Sequence, residues 1–88
     1  SYINYGLIYY DLKKYKASLK KYKIALDIKP ENPVIHYVMG NSLQALGKIE
    51  EALKCYGKAI KIKHDYYQAY GNMGYAYQQL KNYYQQKS

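Results

Sequence analysis

Three glycines, Gly6, Gly40 and Gly74, stand 34 residues apart, and the residues around them recur with them. At this offset Leu12 falls on Leu46 and Leu80, and Tyr9 on Leu43 and Tyr77. Leu19 falls on Leu53, Tyr22 on Tyr56, Ala25 on Ala59, Leu26 on Ile60 and Ile28 on Ile62. Self-similarity sustained at one period is the signature of a stacked repeat array. A single unit of such an array cannot bury its apolar face, so each packs only against its neighbours and the chain extends as a solenoid. Arrays of this kind serve as surfaces for other molecules rather than as reaction vessels.

The units are helical. Between Tyr15 and Lys29, the residues Tyr15, Leu19, Tyr22, Ile24, Ala25, Leu26 and Ile28 form an apolar stripe at helical spacing. Pro30 stops this helix, because the residue before a proline is biased away from helical angles. Asn32 caps the next helix, with Pro33 in its first turn, where a missing N–H costs nothing. Val34 to Leu46 is again apolar-periodic and ends at Gly47. Glu50 and Glu51 open a fourth helix that closes on Lys61 and Lys63, the charge order its dipole favours. The spacing predicts five helices, at 3–13, 16–29, 33–46, 50–63 and 67–80, with NYYQQKS beginning one more. Connections this short force sequential helices to pack antiparallel.

Length and composition narrow the remaining choices. The 88 residues allow one domain. At 49% hydrophobic the chain is not disordered, and no apolar run reaches the roughly 18 residues that span a bilayer. The opening SYINYGLIYY lacks a basic leader and a cleavage site. It also lacks an initiator Met and begins inside a unit, so the chain is read as a piece of a longer array. Cys55 is the only cysteine, which excludes an internal disulfide or a cysteine-built zinc cage and fits a reducing, cytoplasmic setting. Every basic residue is Lys, and the net charge is +8. The lysines fall mainly on the second helix of each unit: Lys16, Lys20, Lys21 and Lys23, then Lys54, Lys58, Lys61 and Lys63.

The repeating positions carry a recognisable pattern. The first unit supplies Tyr2, Tyr5-Gly6, Tyr9, Ser18, Tyr22, Ala25 and Pro30. The second supplies His36, Met39-Gly40, Leu43, Ala52, Tyr56, Ala59 and His64, and the third Tyr70, Met73-Gly74 and Tyr77. This unit resembles the tetratricopeptide repeat (TPR), over essentially the whole chain. Ser18 for alanine, His36 for a large aromatic and His64 for proline are its departures. The resemblance implies an all-α fold of antiparallel helix-turn-helix units stacked in a right-handed superhelix. The units are 1–32, 33–66 and a truncated 67–88. It assigns Gly in the first helix and Ala in the second to close helix approach, and Tyr22 and Tyr56 to the gap between units.

The family's first helices line a concave groove. Carried over, this places Asn4, Leu7, Tyr10 and Asp11 on the groove from the first unit. Tyr37, Val38, Asn41, Gln44 and Ala45 come from the second, and Gln68, Gly71, Asn72, Tyr75, Gln78 and Gln79 from the third. Asparagine carries a donor and an acceptor, which suits a peptide backbone, and tyrosine gives large contact area at low entropic cost. Asn4 and Asn72 precede their glycines by two, as in the family's peptide-gripping asparagine ladder, which Val38 interrupts. Asn41 and Asn72 also match the asparagines of the family's clamp for C-terminal carboxylates. That clamp needs cations, and Ile3 and Gln68 stand where its lysines belong.

Catalysis has no constellation here: His36, His64 and Cys55 lie apart, and neither a phosphate-cradling loop nor a metal-ligand cluster is present. The expectation is a non-catalytic scaffold without cofactor, binding a protein or peptide segment in its groove. Competing readings are a structural, self-associating segment, motivated by the uncovered Tyr70, Met73 and Tyr77 face, and weak non-specific nucleic-acid contact through the lysine-rich convex side. Lysine is a poorer planar reader of bases and phosphates than arginine, which argues against the latter.

Overall fold

In a computed structural model of the chain, residues 1–87 are described, and they form five helices and no strand. These are α1 (Tyr2–Asp11), α2 (Tyr15–Ile28), α3 (Pro33–Ala45), α4 (Ile49–Ile62) and α5 (Tyr67–Lys87). Side-chain caps start α1 and α3. Ser1 Oγ accepts from the Asn4 N–H at 3.3 Å, and Asn32 Oδ1 accepts from the Val34 N–H at 3.0 Å with Pro33 in the first turn. Each cap satisfies one of the donors that a helix start leaves orphaned.

The hairpin turns of the first two units are the same structure built from different residues. Lys13 and Gly47 both take a positive φ, 61° and 81°. Their N–H groups donate to Tyr10 and Gln44 carbonyls at 2.9 and 3.0 Å, and those of Lys14 and Lys48 to Tyr9 and Leu43 carbonyls at 2.8 and 2.9 Å. The left-handed residue reverses the chain after Leu12 and Leu46, so α1 ends at Asp11 and not at residue 13 as its periodicity predicted. The third unit has no such turn. Its sequence Leu80-Lys81-Asn82-Tyr83 aligns with Leu46-Gly47-Lys48-Ile49, yet α5 runs unbroken for 21 residues. The new helix expected at NYYQQKS is instead the continuation of α5 as far as Lys87, and Ser88 lies outside the described residues. Leu80, Tyr83 and Tyr84 of this extension border an open depression together with the start of α4, and the Tyr84 hydroxyl donates to Glu50 Oε1 at 3.1 Å.

Helices pair within units, α1 with α2 and α3 with α4, and the pairs stack through α2 on α3 and α4 on α5. Tyr22 and Tyr56 are fully buried at the centre of this packing. The glycines serve these rings directly. A Cβ at Gly40 would stand 2.6 Å from a Tyr56 ring carbon, and one at Gly6 would collide with the Tyr22 ring in the same way. The close approach predicted for glycine is therefore ring on backbone within a unit. Ile35, Val38 and Met39 fill the space beside Tyr22, while Leu43, Ala52 and Ala76 do so beside Tyr56. Each fully buried aliphatic side chain of this kind contributes about 1.5–3 kcal/mol.

The departures from the repeat pattern are accommodated locally. Ser18 Oγ donates to the Tyr15 carbonyl at 2.6 Å, so the buried 2.7 Å contact between Ser18 and Ser42 has Ser42 as donor. At the equivalent place between the second and third units the pair is Ala52 and Ala76, both fully buried and needing no hydrogen bond. His36 is buried and its Nε2–H donates to the Pro30 carbonyl at 3.0 Å, tying α3 to the preceding turn. His64 lies exposed in the turn before α5.

Candidate functional site

The first helix of each unit faces one side of the stack, and there an open depression of about 390 Å³ is lined by Tyr10, Asn41, Gln44, Ala45, Asn72, Tyr75 and Gln79. Every one of these is a predicted groove residue, and none is charged. They come together because Tyr10 and Gln44, Asn41 and Tyr75, and Ala45 and Gln79 each stand 34 apart, so the same faces of α1, α3 and α5 are presented side by side.

A single hydrogen-bond network holds the polar ones. Asn41 Oδ1 accepts from the Tyr56 hydroxyl and from Asn72 Nδ2, both at 2.7 Å. Asn72 Nδ2 gives its other proton to the Tyr37 hydroxyl at 3.1 Å. The Tyr56 hydroxyl also points at Gln44 Oε1, 2.8 Å away, and Gln44 Nε2 donates to Gln79 Oε1 at 2.8 Å. Three helices are thereby cross-linked by uncharged groups. Burial is the main cause holding the Tyr56 hydroxyl far above its ordinary ionisation range, so it remains a donor at any physiological pH.

The network leaves several donors and acceptors unused. Asn41 spends only its oxygen and keeps both amide protons. Asn72 spends only its nitrogen and keeps its oxygen, and Gln79 keeps its amide nitrogen. Donor and acceptor therefore stand together on the wall of the depression, which Tyr10 and Tyr75 also line.

The remaining predicted groove residues lie elsewhere. Asn4, Leu7 and Asp11 are exposed along α1, and Gln68 is exposed at the start of α5, outside the depression. Tyr37 is half-buried, wedged against Tyr56 and Tyr66 with ring centroids 6.1 and 5.0 Å away, and reaches the site only through its hydroxyl. Three placements are corrected. Val38 is buried beside Tyr22 and Ile35 because its phase on α3 points between the units. Gln78 bonds Asn82 along its own helix at 3.3 Å. Gln78 and Gly71 are also about 90–120° round α5 from Asn72, on its outward side.

The repeat pattern assigns Tyr56 to packing, yet its hydroxyl organises the site. The signal was available in the repeat itself. Asn41 and Gln44 precede Tyr56 by 15 and 12, and the residues 34 earlier, which precede Tyr22 by the same amounts, are Leu7 and Tyr10. Only the second tyrosine is offered amide acceptors. Tyr22, correspondingly, has a buried hydroxyl without a partner. Cys55 packs beside both tyrosine clusters, and burial pushes its thiol up, the opposite of what a nucleophile needs. Among the described residues no group of His, Cys, Asp and Glu could hold a metal ion, and no helix is long and apolar enough to cross a membrane.

Comparison with known proteins agrees with this architecture. The chain is 29% identical over 69 residues to a peroxisomal targeting signal receptor of Candida albicans, a match covering 78% of the chain and 12% of that protein. It is 39% identical over 46 residues to a TPR repeat-containing protein of Methanocaldococcus jannaschii, covering 52% of the chain and 14% of the relative. The chain thus spans about an eighth of the length of these relatives. Among solved structures, the first TPR of Spaghetti bound to the HSP90 peptide SRMEEVD superposes with a TM-score of 0.87 at 22% identity, covering 91% of this chain and 64% of that one. The Sgt2 TPR domain of Aspergillus fumigatus superposes with a TM-score of 0.88 at 24% identity, covering 93% and 54%. The family description "TPR repeat" matches residues 6–47 and 40–81, two overlapping windows offset by the same 34 residues as the glycines. The chain belongs to the TPR repeat family.

Proposed function

We propose that this chain is a non-catalytic protein-interaction scaffold whose depression between α1, α3 and α5 takes an extended peptide segment, uncharged where it crosses the site. The observation that carries this reading is the unspent set of groups: the Asn41 amide protons, the Asn72 oxygen and the Gln79 amide nitrogen. An extended main chain presents C=O and N–H groups in alternation and can meet donor and acceptor at once. Tyr10 and Tyr75 supply flanking contact area. The Spaghetti domain held a peptide on the same fold, which supports a peptide as the ligand class. Its acidic sequence does not suit this site, which has no cation on its wall to pair with carboxylates. The half-buried free Cys55 fits a reducing compartment.

The test is a peptide selected from a random library on the immobilised chain, followed by calorimetric titration. Tyr75 is 61% exposed, so Tyr75→Ala spares the core. It is expected to weaken the selected peptide about tenfold, an ordinary loss for an aromatic contact residue. The peptide SRMEEVD is expected to bind no more tightly than about millimolar, an affinity of roughly 4 kcal/mol. Selected peptides indifferent to Tyr75→Ala and Gln79→Ala would overturn the reading, as would micromolar binding of SRMEEVD.

A further inference from the structure

Every lysine of the chain lies on a second helix, in a turn or beyond Leu80. Across α1, α3 and α5 as far as Leu80, the only Asp, Glu or Lys is Asp11. The 34-residue register puts Asp11 in step with Ala45 and Gln79, which both line the depression, and its chain neighbour Tyr10 lines it as well. Asp11 is exposed and stands at the α1 rim of that same face.

The fold itself does not call for a carboxylate there. Asp11 is the last residue of α1, and a negative charge is disfavoured at the negative end of a helix dipole. Lys13 and Lys14 follow in the turn, yet Asp11 makes no ion pair and no hydrogen bond among the described residues. Its charge is felt on the groove side of the helix. Burial is the first cause that raises the Tyr10 and Tyr22 hydroxyls, and the Asp11 carboxylate adds to it at both rings.

We infer that Asp11 selects a basic residue in the bound segment: the peptide crosses the depression with uncharged residues and places a Lys or Arg over the rim of α1, where its cation pairs with the Asp11 carboxylate. This rests on the peptide reading above and adds to it a charge and a position. α1 touches α3, and helices in contact stand about 8–10 Å apart. An extended chain rises about 3.3 Å per residue, so the basic residue falls about three positions from the one held by Asn41 and Gln44. On the opposite side α5 offers Asn72, Tyr75 and Gln79 and no charge as far as Leu80, so the basic residue belongs at one end of the segment only. An acidic residue in its place would meet a like charge. The pair is exposed, so it adds little to affinity and acts mainly on the choice among peptides.

Random-library selection on the immobilised chain, run in parallel on the wild type and on Asp11→Asn, tests this. Wild-type selections are expected to share a Lys or Arg at one fixed position, and Asp11→Asn selections to lack it. Calorimetric titration then compares a wild-type-selected peptide with its counterpart carrying Gln at that position. The basic form should bind the wild type about threefold more tightly, an ordinary value for an exposed pair, and the two forms should bind Asp11→Asn equally. The advantage should fade between about 0.05 and 0.5 M sodium chloride. On Asp11→Lys a counterpart with Glu should be preferred instead, while Glu31→Gln, in the turn before α3, should leave the wild-type preference intact. Circular dichroism verifies the fold of each variant. Peptides that depend on Tyr75 and Gln79 but share no basic position overturn this inference and leave the peptide reading standing, and so does a basic residue that counts equally on Asp11→Asn. Peptides indifferent to Tyr75→Ala and Gln79→Ala overturn both.

Discussion

Tyr22 and Tyr56 occupy the same place in successive units, yet their hydroxyls have opposite fates. The Tyr56 hydroxyl is met by Asn41 and Gln44, whereas that of Tyr22 is buried without a partner. A buried polar group left unpaired costs about 1–3 kcal/mol, while a made hydrogen bond contributes about 1. Tyr22→Phe is therefore expected to stabilise the chain by about 1 kcal/mol, and Tyr56→Phe to destabilise it by about 1–3 kcal/mol because Gln44 Oε1 loses its donor and Asn41 Oδ1 keeps only that of Asn72. Urea unfolding of the two variants measures both signs. Alkali adds a second readout. Burial is the main cause pushing the Tyr22 hydroxyl up from its ordinary value of 10.0 to about 12. Below pH 10 both folded and unfolded chains keep this proton and its contribution is constant. Between pH 10 and about 12 the unfolded chain ionises first and stability falls. The advantage of Tyr22→Phe should consequently grow from pH 9 to pH 11, and an advantage independent of pH would contradict the assignment.

At the scale of elements, the hairpin turn shows where local chemistry and context part company. Lys13 and Gly47 hold the same left-handed conformation, which costs a residue with a Cβ about 1 kcal/mol and glycine nothing. Lys13→Gly should raise stability by about 0.5–1 kcal/mol, and Gly47→Ala should lower it by a similar amount; thermal unfolding compares them directly. Gly47 announced its turn in the sequence, while Lys13 did not, so α1 was read two residues too long. The periodicity and Asn32-Pro33 placed the helices themselves, since these signals are local. The end of α5 was not legible. Leu80-Lys81-Asn82 resembles the earlier turns, and only the Tyr84 hydrogen bond to Glu50 at the start of α4 accompanies its continuation as helix. The groove was legible to the extent that the 34-residue register aligns Tyr10 with Gln44, Asn41 with Tyr75 and Ala45 with Gln79 on one face. The register alone did not distinguish the buried Val38 from the half-buried Tyr37 and Asn41, nor reveal that the amides bond one another, because both depend on how far apart the units stack.

At the scale of the whole molecule, charge and packing are separate. The core of tyrosine, alanine and branched aliphatic residues carries no charge, and the depression is neutral, so the +8 resides on the remaining surface. Among the described residues the lysines make cation–π contacts, Lys63 over Tyr66 at 4.9 Å and Lys87 over Tyr83 at 4.8 Å. They make no ion pair there. Their mutual repulsion therefore opposes the folded state, in which the second helices hold Lys16, Lys20 and Lys23, and Lys54, Lys58 and Lys61, at short intervals along their exposed sides. Salt screens such repulsion, with a Debye length that shrinks from about 30 Å at 0.01 M to about 3 Å at 1 M. Raising sodium chloride across that range should increase the melting temperature by several degrees, since about 1 kcal/mol moves a domain of this size by roughly 4–8 °C. Lys58→Glu should raise it at low salt and lose that advantage at high salt. Binding of the uncharged peptide in the depression should be nearly insensitive to the same change, because no charged group lines that wall. A melting temperature that falls with sodium chloride would mean that attraction, not repulsion, dominates the surface.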